Sequence, residues 1–241
     1  MLEVQGLTKH FKGLTAVSGV SFSVAEGEIS ALIGPNGAGK TTTFNMIAGA
    51  LVPSEGRISF DGRDITGLDP EVIAAAGISR TFQVVRPMVG MTVLENAMVG
   101  ALAKGLDMAE AKADALAALD MVGLARRAGN EASSLTLPDR KMLEIARCLA
   151  RKPRLLLLDE AMAGLRPSEA DVLISVLREL NAQGLTILLI EHVMRVVMSL
   201  AGRVAVLHHG ELIATGKPQE IVENPIVIES YLGRRKVEAG Q

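Results

Sequence analysis

Nearly unbroken apolar runs and short alternating stretches take turns along the chain. Ile29–Ile33, Leu155–Leu158 and Thr186–Ile190 are the runs, the pattern of parallel strands buried on both faces. Leu2–Leu7 and Val20–Val24 read as short strands, with Ala25-Glu-Gly27 as the turn into the first buried run. Arg57–Phe60 followed by Asp61-Gly62 predicts a strand entering a tight turn. Pro70–Ala76 reads as a short helix and Ile78–Phe82 as a strand. From Val93 to Cys148 the chain becomes rich in Ala, Leu and Met with few β-branched residues. Met108, Ala111, Ala115, Leu119 and Val122 step by three or four along one face of Met108–Leu124, which predicts a helical insertion. Its methionines suit core filling. Pro167–Ala182 reads as a helix, with Pro167 at its start and Gly184 past its end. Val204–His208 and Glu211–Ala214, joined at Gly210, predict a hairpin, and Arg234–Gln241 is a polar tail.

The segment between the first buried run and the next helix, predicted over Thr41–Leu51, carries chemistry. GPNGAGKT at Gly34–Thr41 matches G-x-x-x-x-G-K-[ST] at every fixed position. Glycines let backbone wrap closely round a polyphosphate, and bared N–H groups at a helix start supply a positive cradle. Lys40 adds a point charge near the β and γ phosphates, and Thr41 offers a hydroxyl to Mg²⁺. LLLLDE at Leu155–Glu160 puts two carboxylates at the end of a buried strand. Asp159 suits Mg²⁺ held through its water shell, and Glu160 suits a general base that polarises water.

Composition narrows the class. The 241 residues fit one compact α/β domain with an inserted subdomain. Apolar content of 49% with only 2% aromatics requires an aliphatic core. A net charge of −2 argues against a nucleic-acid binder. The single cysteine, Cys148, excludes an internal disulfide and sits in an apolar helical run, as a buried thiol would. No stretch approaches the ~20 apolar residues that span a bilayer, and MLEVQGLTKHF lacks the apolar core of a signal peptide. A cytoplasmic chain is expected. His10, His208 and His209 show no metal-ligand spacing.

With these residues in order, the chain resembles an ATP-binding-cassette ATPase over almost its full length. The resemblance implies an α/β, P-loop NTPase (RecA-like) core with a mainly parallel sheet, an N-terminal antiparallel β subdomain and an inserted α-helical subdomain. It implies a single domain over 1–241, with 1–86 and 152–241 as nucleotide-binding core and 87–151 as helical subdomain. By the same resemblance ATP contacts Gly34, Asn36, Gly37, Ala38, Gly39, Lys40, Thr41 and Thr42. Phe11 falls where an aromatic stacks on adenine, and Val17 also falls among the nucleotide contacts. Gln83, in SRTFQ, fits the glutamine loop that senses the γ-phosphate and Mg²⁺; Thr41, Gln83 and Asp159 form the metal set. Ala163–Arg166 fits the D-loop and His192 the switch histidine on the γ-phosphate. Segments 77–101 and 143–169, with the closing AVLHHGELIATGKPQEIVENPIVIESYLG, look like the ATPases of branched-chain amino-acid importers, specifically the RTFQ-type subunit.

One segment departs from the family pattern. Where the wider family reads LSGGQ, this chain reads Leu135-Thr136-Leu137-Pro138-Asp139. Thr136 keeps a hydroxyl for nucleotide bound in trans. Pro138 has no N–H to give, Leu137 adds a side chain and Asp139 adds negative charge. Thr136 and Asp139 would form a capping box, with Pro138 suited to the first turn. Ala161 replaces a usual proline, and Arg166 stands where the D-loop carries Asp or Asn. The implied assembly contains a second ATPase subunit, membrane permease subunits and, indirectly, a solute-binding protein. A heterodimer is favoured, with a homodimer open, and the complex sits on the inner face of the cell membrane. The permease is expected to dock near Val84–Thr92, at Val85, Met88 and Val89. A soluble cassette ATPase and a nucleotide-gated interaction module are the alternatives.

Overall fold

The computed structural model describes residues 1–81 and 87–232. The chain runs β1 (Leu2–Phe11), β2 (Leu14–Val24), β3 (Ile29–Ile33), α1 (Lys40–Ile47), β4 (Glu55–Phe60) and β5 (Arg63–Asp64). It continues with α2 (Pro70–Ala75), β6 (Ile78–Arg80), α3 (Val93–Leu102), α4 (Met108–Met121), α5 (Leu137–Leu149) and β7 (Leu155–Asp159). After these come α6 (Pro167–Ala182), β8 (Thr186–Ile190), α7 (Met194–Leu200), β9 (Arg203–His208), β10 (Glu211–Gly216), α8 (Pro218–Glu223) and α9 (Pro225–Leu232). Two compact units result. One holds Met1–Ala25, Ile29–Gly67 and the chain from Ile190 onward; the other holds Glu26–Glu28 and Leu68–Leu189.

In the first unit, β2-β1-β4-β5 form a sheet of antiparallel pairs. Leu2 faces Val24 and Phe60, and Val4 faces Phe22 and Ile58. Leu2, Val4 and Leu7 are all buried although the last step is three residues, because a register shift falls between Val4 and Leu7. β3 runs parallel to β9, with Ala31 opposite Val204 and Ile33 opposite Val206. β9 and β10 form the expected hairpin through His209 and Gly210, both left-handed at φ 49° and 84°, as a two-residue turn requires. Helix α1 is shorter than the pattern predicts. It ends at Ile47 because Gly49 takes φ 75° and its N–H bonds back to the Met46 carbonyl. Among the described residues the buried aromatic side chains of the core are Phe44 and Phe60, the rest being chiefly aliphatic.

In the second unit β6 runs parallel to β7, with Ile78 opposite Leu155 and Arg80 opposite Leu157, and β8 follows beside β7. Every residue of β7 and β8 is buried, which is why their sequences are runs rather than alternations. Helices α3, α4 and α5 pack on one another. A Cβ on Gly100 of α3 would collide with the Arg147 carbonyl of α5, so glycine permits that close crossing. On α4, Ala111, Ala115 and Leu119 are buried, as is Val122 at its C-cap, whereas Met108 is 65% exposed. Met108 opens the first turn, next to a capping box in which Asp107 and Glu110 exchange bonds, and there it has left the packed face. The same reciprocal cap joins Thr92 and Glu95 at α3. There the Thr92 N–H, with its hydroxyl, holds the Glu95 pKa below its ordinary value. Parallel strand pairs, an antiparallel N-terminal sheet and an inserted helical segment make up the α/β class that the pattern and the resemblance imply.

Candidate active site

The candidate residues divide between the two units. In the first, Gly34–Gly39 link β3 to α1, with left-handed or related φ at Gly34 (151°), Gly37 (79°) and Gly39 (98°). A Cβ on Gly34 would strike the Leu207 carbonyl, and one on Gly39 would come within 2.7 Å of the Ala16 carbonyl oxygen. The loop therefore needs glycine for space as well as for φ. Helix α1 starts at Gly39 with no side-chain cap and no acidic residue in its first turn. With no side-chain cap and no acid there, the positive end of its dipole favours an anion. Lys40 is 7% exposed, and its ammonium donates to the carbonyls of Gly34 (2.7 Å) and Pro35 (2.9 Å). Asn36, Gly37 and Thr41 are exposed, Thr42 is half-buried and Ala38 is buried. Burial of Tyr231 on α9 pushes its phenol pKa up, and the nearby Gly34 backbone opposes the shift.

Phe11 sits half-open at the tip of the β1–β2 hairpin, with the Lys9 ammonium 5.3 Å from its ring centroid. Val17 is fully buried, and its Cγ2 lies 3.2 Å from where a Cβ on Gly39 would stand. His192 is exposed in the irregular stretch between β8 and α7.

The second unit holds the carboxylates. Asp159 ends β7 with its side chain 3% exposed and accepts a bond from Arg80 Nη2 at 2.8 Å. Thr81 Oγ1 accepts from the Asp159 N–H at 3.3 Å. Glu160 follows in a left-handed conformation at φ 48°, half-buried. Such strain in a side-chain-bearing residue persists where surrounding bonds hold it. The Glu160 carbonyl accepts from Ala163 N–H (3.0 Å) and from the buried Lys141 ammonium (3.4 Å). Gln83 and Val85 lie outside the described residues. Cys148 is 6% exposed, donates to the Arg80 carbonyl at 3.3 Å, and its pKa is pushed up to about 12, chiefly by burial and then by the Glu144 charge. It is the inert thiol that its sequence position predicts.

The altered signature segment caps α5. Thr136 is the N-cap, accepting from Asp139 N–H, and Pro138 lies in the first turn. The expected capping box is only half made: the Asp139 carboxylate does not return to the Thr136 N–H. Its Oδ2 instead accepts from the Thr136 hydroxyl and from Arg127. Leu137 lies against the D-loop, its Cδ2 3.2 Å from where a Cβ on Gly164 would stand. Arg166 pairs with Glu169 through Nε and Nη2, and these bonds lower the Glu169 pKa and raise that of Arg166. Arg80, Arg127 and Lys141 were not singled out by sequence reasoning. Each acts through a tertiary neighbour, and the only sequence signal was the position of Arg80 three residues before Gln83.

Among the described residues no group of three or more His, Cys, Asp or Glu side chains could hold a metal. The donors present, a threonine hydroxyl and an aspartate, are hard oxygens and too few for an all-protein cage. Each by itself is a donor of the kind Mg²⁺ takes, since that ion uses one or two carboxylates and fills its remaining positions with phosphate oxygens and water. No described helix is long and apolar enough to cross a membrane.

A glycine cradle opening an uncapped helix, with a buried lysine in it, defines a phosphate-loop nucleotide-binding protein. The ABC transporter family model matches residues 17–163, and that of the branched-chain amino acid ATP-binding cassette transporter matches residues 211–237. The chain is 43% identical to the high-affinity branched-chain amino acid transport ATP-binding protein LivG of Salmonella typhimurium, over 97% of this chain and 98% of that one. Among solved structures, the ADP conformation of an ABC transporter cassette matches with a TM-score of 0.89 and 33% identity, covering 97% of this chain and 99% of that one. A dimeric post-hydrolysis cassette bound to ADP and Pi matches with a TM-score of 0.81 and 26% identity, covering 90% and 99%. The chain belongs to the ABC transporter family of ATP-binding cassettes, and it is an ATPase of the kind that powers transport.

Proposed function

We propose that this chain is the ATP-hydrolysing subunit of an importer for branched-chain or other hydrophobic amino acids or related small solutes. The likeness to LivG and the match at residues 211–237 support that solute class. The observation that carries nucleotide binding is the start of α1: a left-handed glycine, no side-chain cap, no acid, and Lys40 buried against the loop.

The roles follow from the chemistry of each group. Gly34, Asn36, Gly37, Ala38, Gly39 and Thr42 cradle the phosphates, and Lys40 neutralises spreading charge on the γ-phosphoryl group. Phe11 and Val17 bound the adenine side. Thr41, Asp159 and Gln83 would hold Mg²⁺, which when bound would supply charge neutralisation on phosphate oxygens. Glu160 takes a proton from water as the water oxygen bonds to the γ-phosphorus and the bond to the β–γ bridging oxygen breaks. His192 contacts the γ-phosphate, and Thr136 serves nucleotide on the opposite subunit. A heterodimer with a second ATPase subunit is favoured, because the Leu135–Asp139 segment gives a weak half-site while this chain's own loop, Glu160 and His192 can meet an intact partner segment. Permease subunits anchor the pair on the inner membrane face and receive solute from a binding protein.

The test is ATP hydrolysis by the chain alone and with its co-purified partners, with Glu160→Gln as control. Little turnover alone and restoration by a second ATPase subunit and permease support this reading. Strong turnover alone that Glu160→Gln removes contradicts the asymmetric assembly. Absence of turnover in the full complex leaves a nucleotide-gated interaction module.

A further inference from the structure

Arg80 and Asp159 lie on adjacent parallel strands, with side chains 11% and 3% exposed. Two buried charges in direct contact reinforce each other far more than a surface pair does. The arginine is also held in place from its own backbone outward. Its residue stands opposite Leu157, the next N–H (Thr81) donates to the Leu157 carbonyl at 2.9 Å, and Thr81 Oγ1 accepts from the Asp159 N–H. Cys148 Sγ donates to the Arg80 carbonyl. The guanidinium is therefore delivered to the carboxylate by the sheet itself, not by a chance rotamer.

We propose that Arg80 is a positioning residue that sets the metal requirement of this ATPase. Its guanidinium holds the buried Asp159 carboxylate, and a divalent cation arriving with nucleotide must compete with that bond and with the adjacent positive charge. This rests on the reading of Asp159 as a metal-shell carboxylate. The pair keeps the carboxylate aimed before metal arrives, and it holds divalent affinity below what the carboxylate would otherwise give. Metal then binds as a complex with nucleotide, whose phosphates supply the remaining oxygens, and weakly without it.

The experiment uses the full chain with ADP and Mn²⁺, free Mn²⁺ being read by electron paramagnetic resonance. Arg80→Gln is expected to tighten Mn²⁺ binding by at least about tenfold, a lower bound for removing one nearby unit charge at a protein's effective dielectric. ADP affinity in EDTA should change less than twofold. Arg80→Lys keeps the charge on a shorter arm; it should shift Mn²⁺ affinity the same way by a smaller factor, and it serves if the glutamine variant does not fold. Asp159→Asn separates the two ideas. If it weakens Mn²⁺ binding while the Arg80 variants leave it unchanged or weaker, the role of Arg80 is overturned and the metal reading stands. If Asp159→Asn has no effect, the metal reading itself falls, and the proposal with it.

Discussion

The Thr136 hydroxyl donates to the Asp139 carboxylate, and Arg127 donates to the same oxygen. The hydroxyl proposed to serve nucleotide in trans therefore already has an acceptor within its own subunit. Pro138 contributes no N–H beside it. Replacing Leu137 and Pro138 by glycine and Asp139 by alanine frees the hydroxyl, adds a donor and removes a charge. ATPase activity of the assembled complex should rise about threefold or more, a small share of what single donors are worth in preorganised sites. The same change should destabilise the isolated chain by about 1 kcal/mol, through glycine entropy in the first turn of α5. Unchanged turnover in the complex would show that this half-site does not limit it.

The phosphate loop makes a second prediction from sterics alone. Gly34→Ala directs a methyl group into the Leu207 carbonyl, and Gly39→Ala directs one at the Ala16 carbonyl while φ is 98°. Each should cost about 2 kcal/mol of stability and weaken ADP binding more than tenfold, read by thermal unfolding and calorimetry.

Most of the fold was legible because burial and pattern coincide. Ile29–Ile33, Pro167–Ala182 and Thr186–Ile190 appear with the boundaries their sequences predict. Legibility failed where a tertiary bond decides. The Thr136–Asp139 spacing predicts a capping box, but Arg127, brought from a separate turn, takes the carboxylate instead. Met108 fits the helical period yet lies beyond the packed face. Phosphate-loop residues were readable because one short segment supplies both cradle and charge. The Arg80–Asp159 pair was not, since strands 79 residues apart in sequence must first become neighbours.

The proposed permease contact near Met88 and Val89 yields a third prediction. Val89 is 85% and Met88 37% exposed, in a loop anchored by the fully buried Asn96. The Asn96 amide accepts from Met88 N–H and donates to the Met88 and Thr92 carbonyls. Val89→Asp should lower co-purification with permease several-fold and leave ADP affinity within twofold. Asn96→Ala should lose about 2 kcal/mol of stability, the cost of leaving buried backbone groups unpaired. Co-purification that survives both changes would place the contact elsewhere.

Cys148 gives the pH prediction. Its thiol titrates near 9.0 when unperturbed and at about 12 in the folded chain, because burial and the Glu144 charge both disfavour the thiolate. On raising pH the unfolded chain loses this proton first. The stability that burial of the neutral thiol contributes is thus complete below about pH 9 and drains away as pH climbs toward about 12. Wild-type stability should fall more steeply with pH across that window than that of Cys148→Ala, by up to about 1.4 kcal/mol per pH unit. The alanine variant starts lower from its small cavity, so the slope and not the intercept carries the comparison. Iodoacetamide at pH 8 should label the urea-unfolded chain and spare the folded one; equal slopes with rapid labelling of the folded chain would put the thiol in contact with solvent.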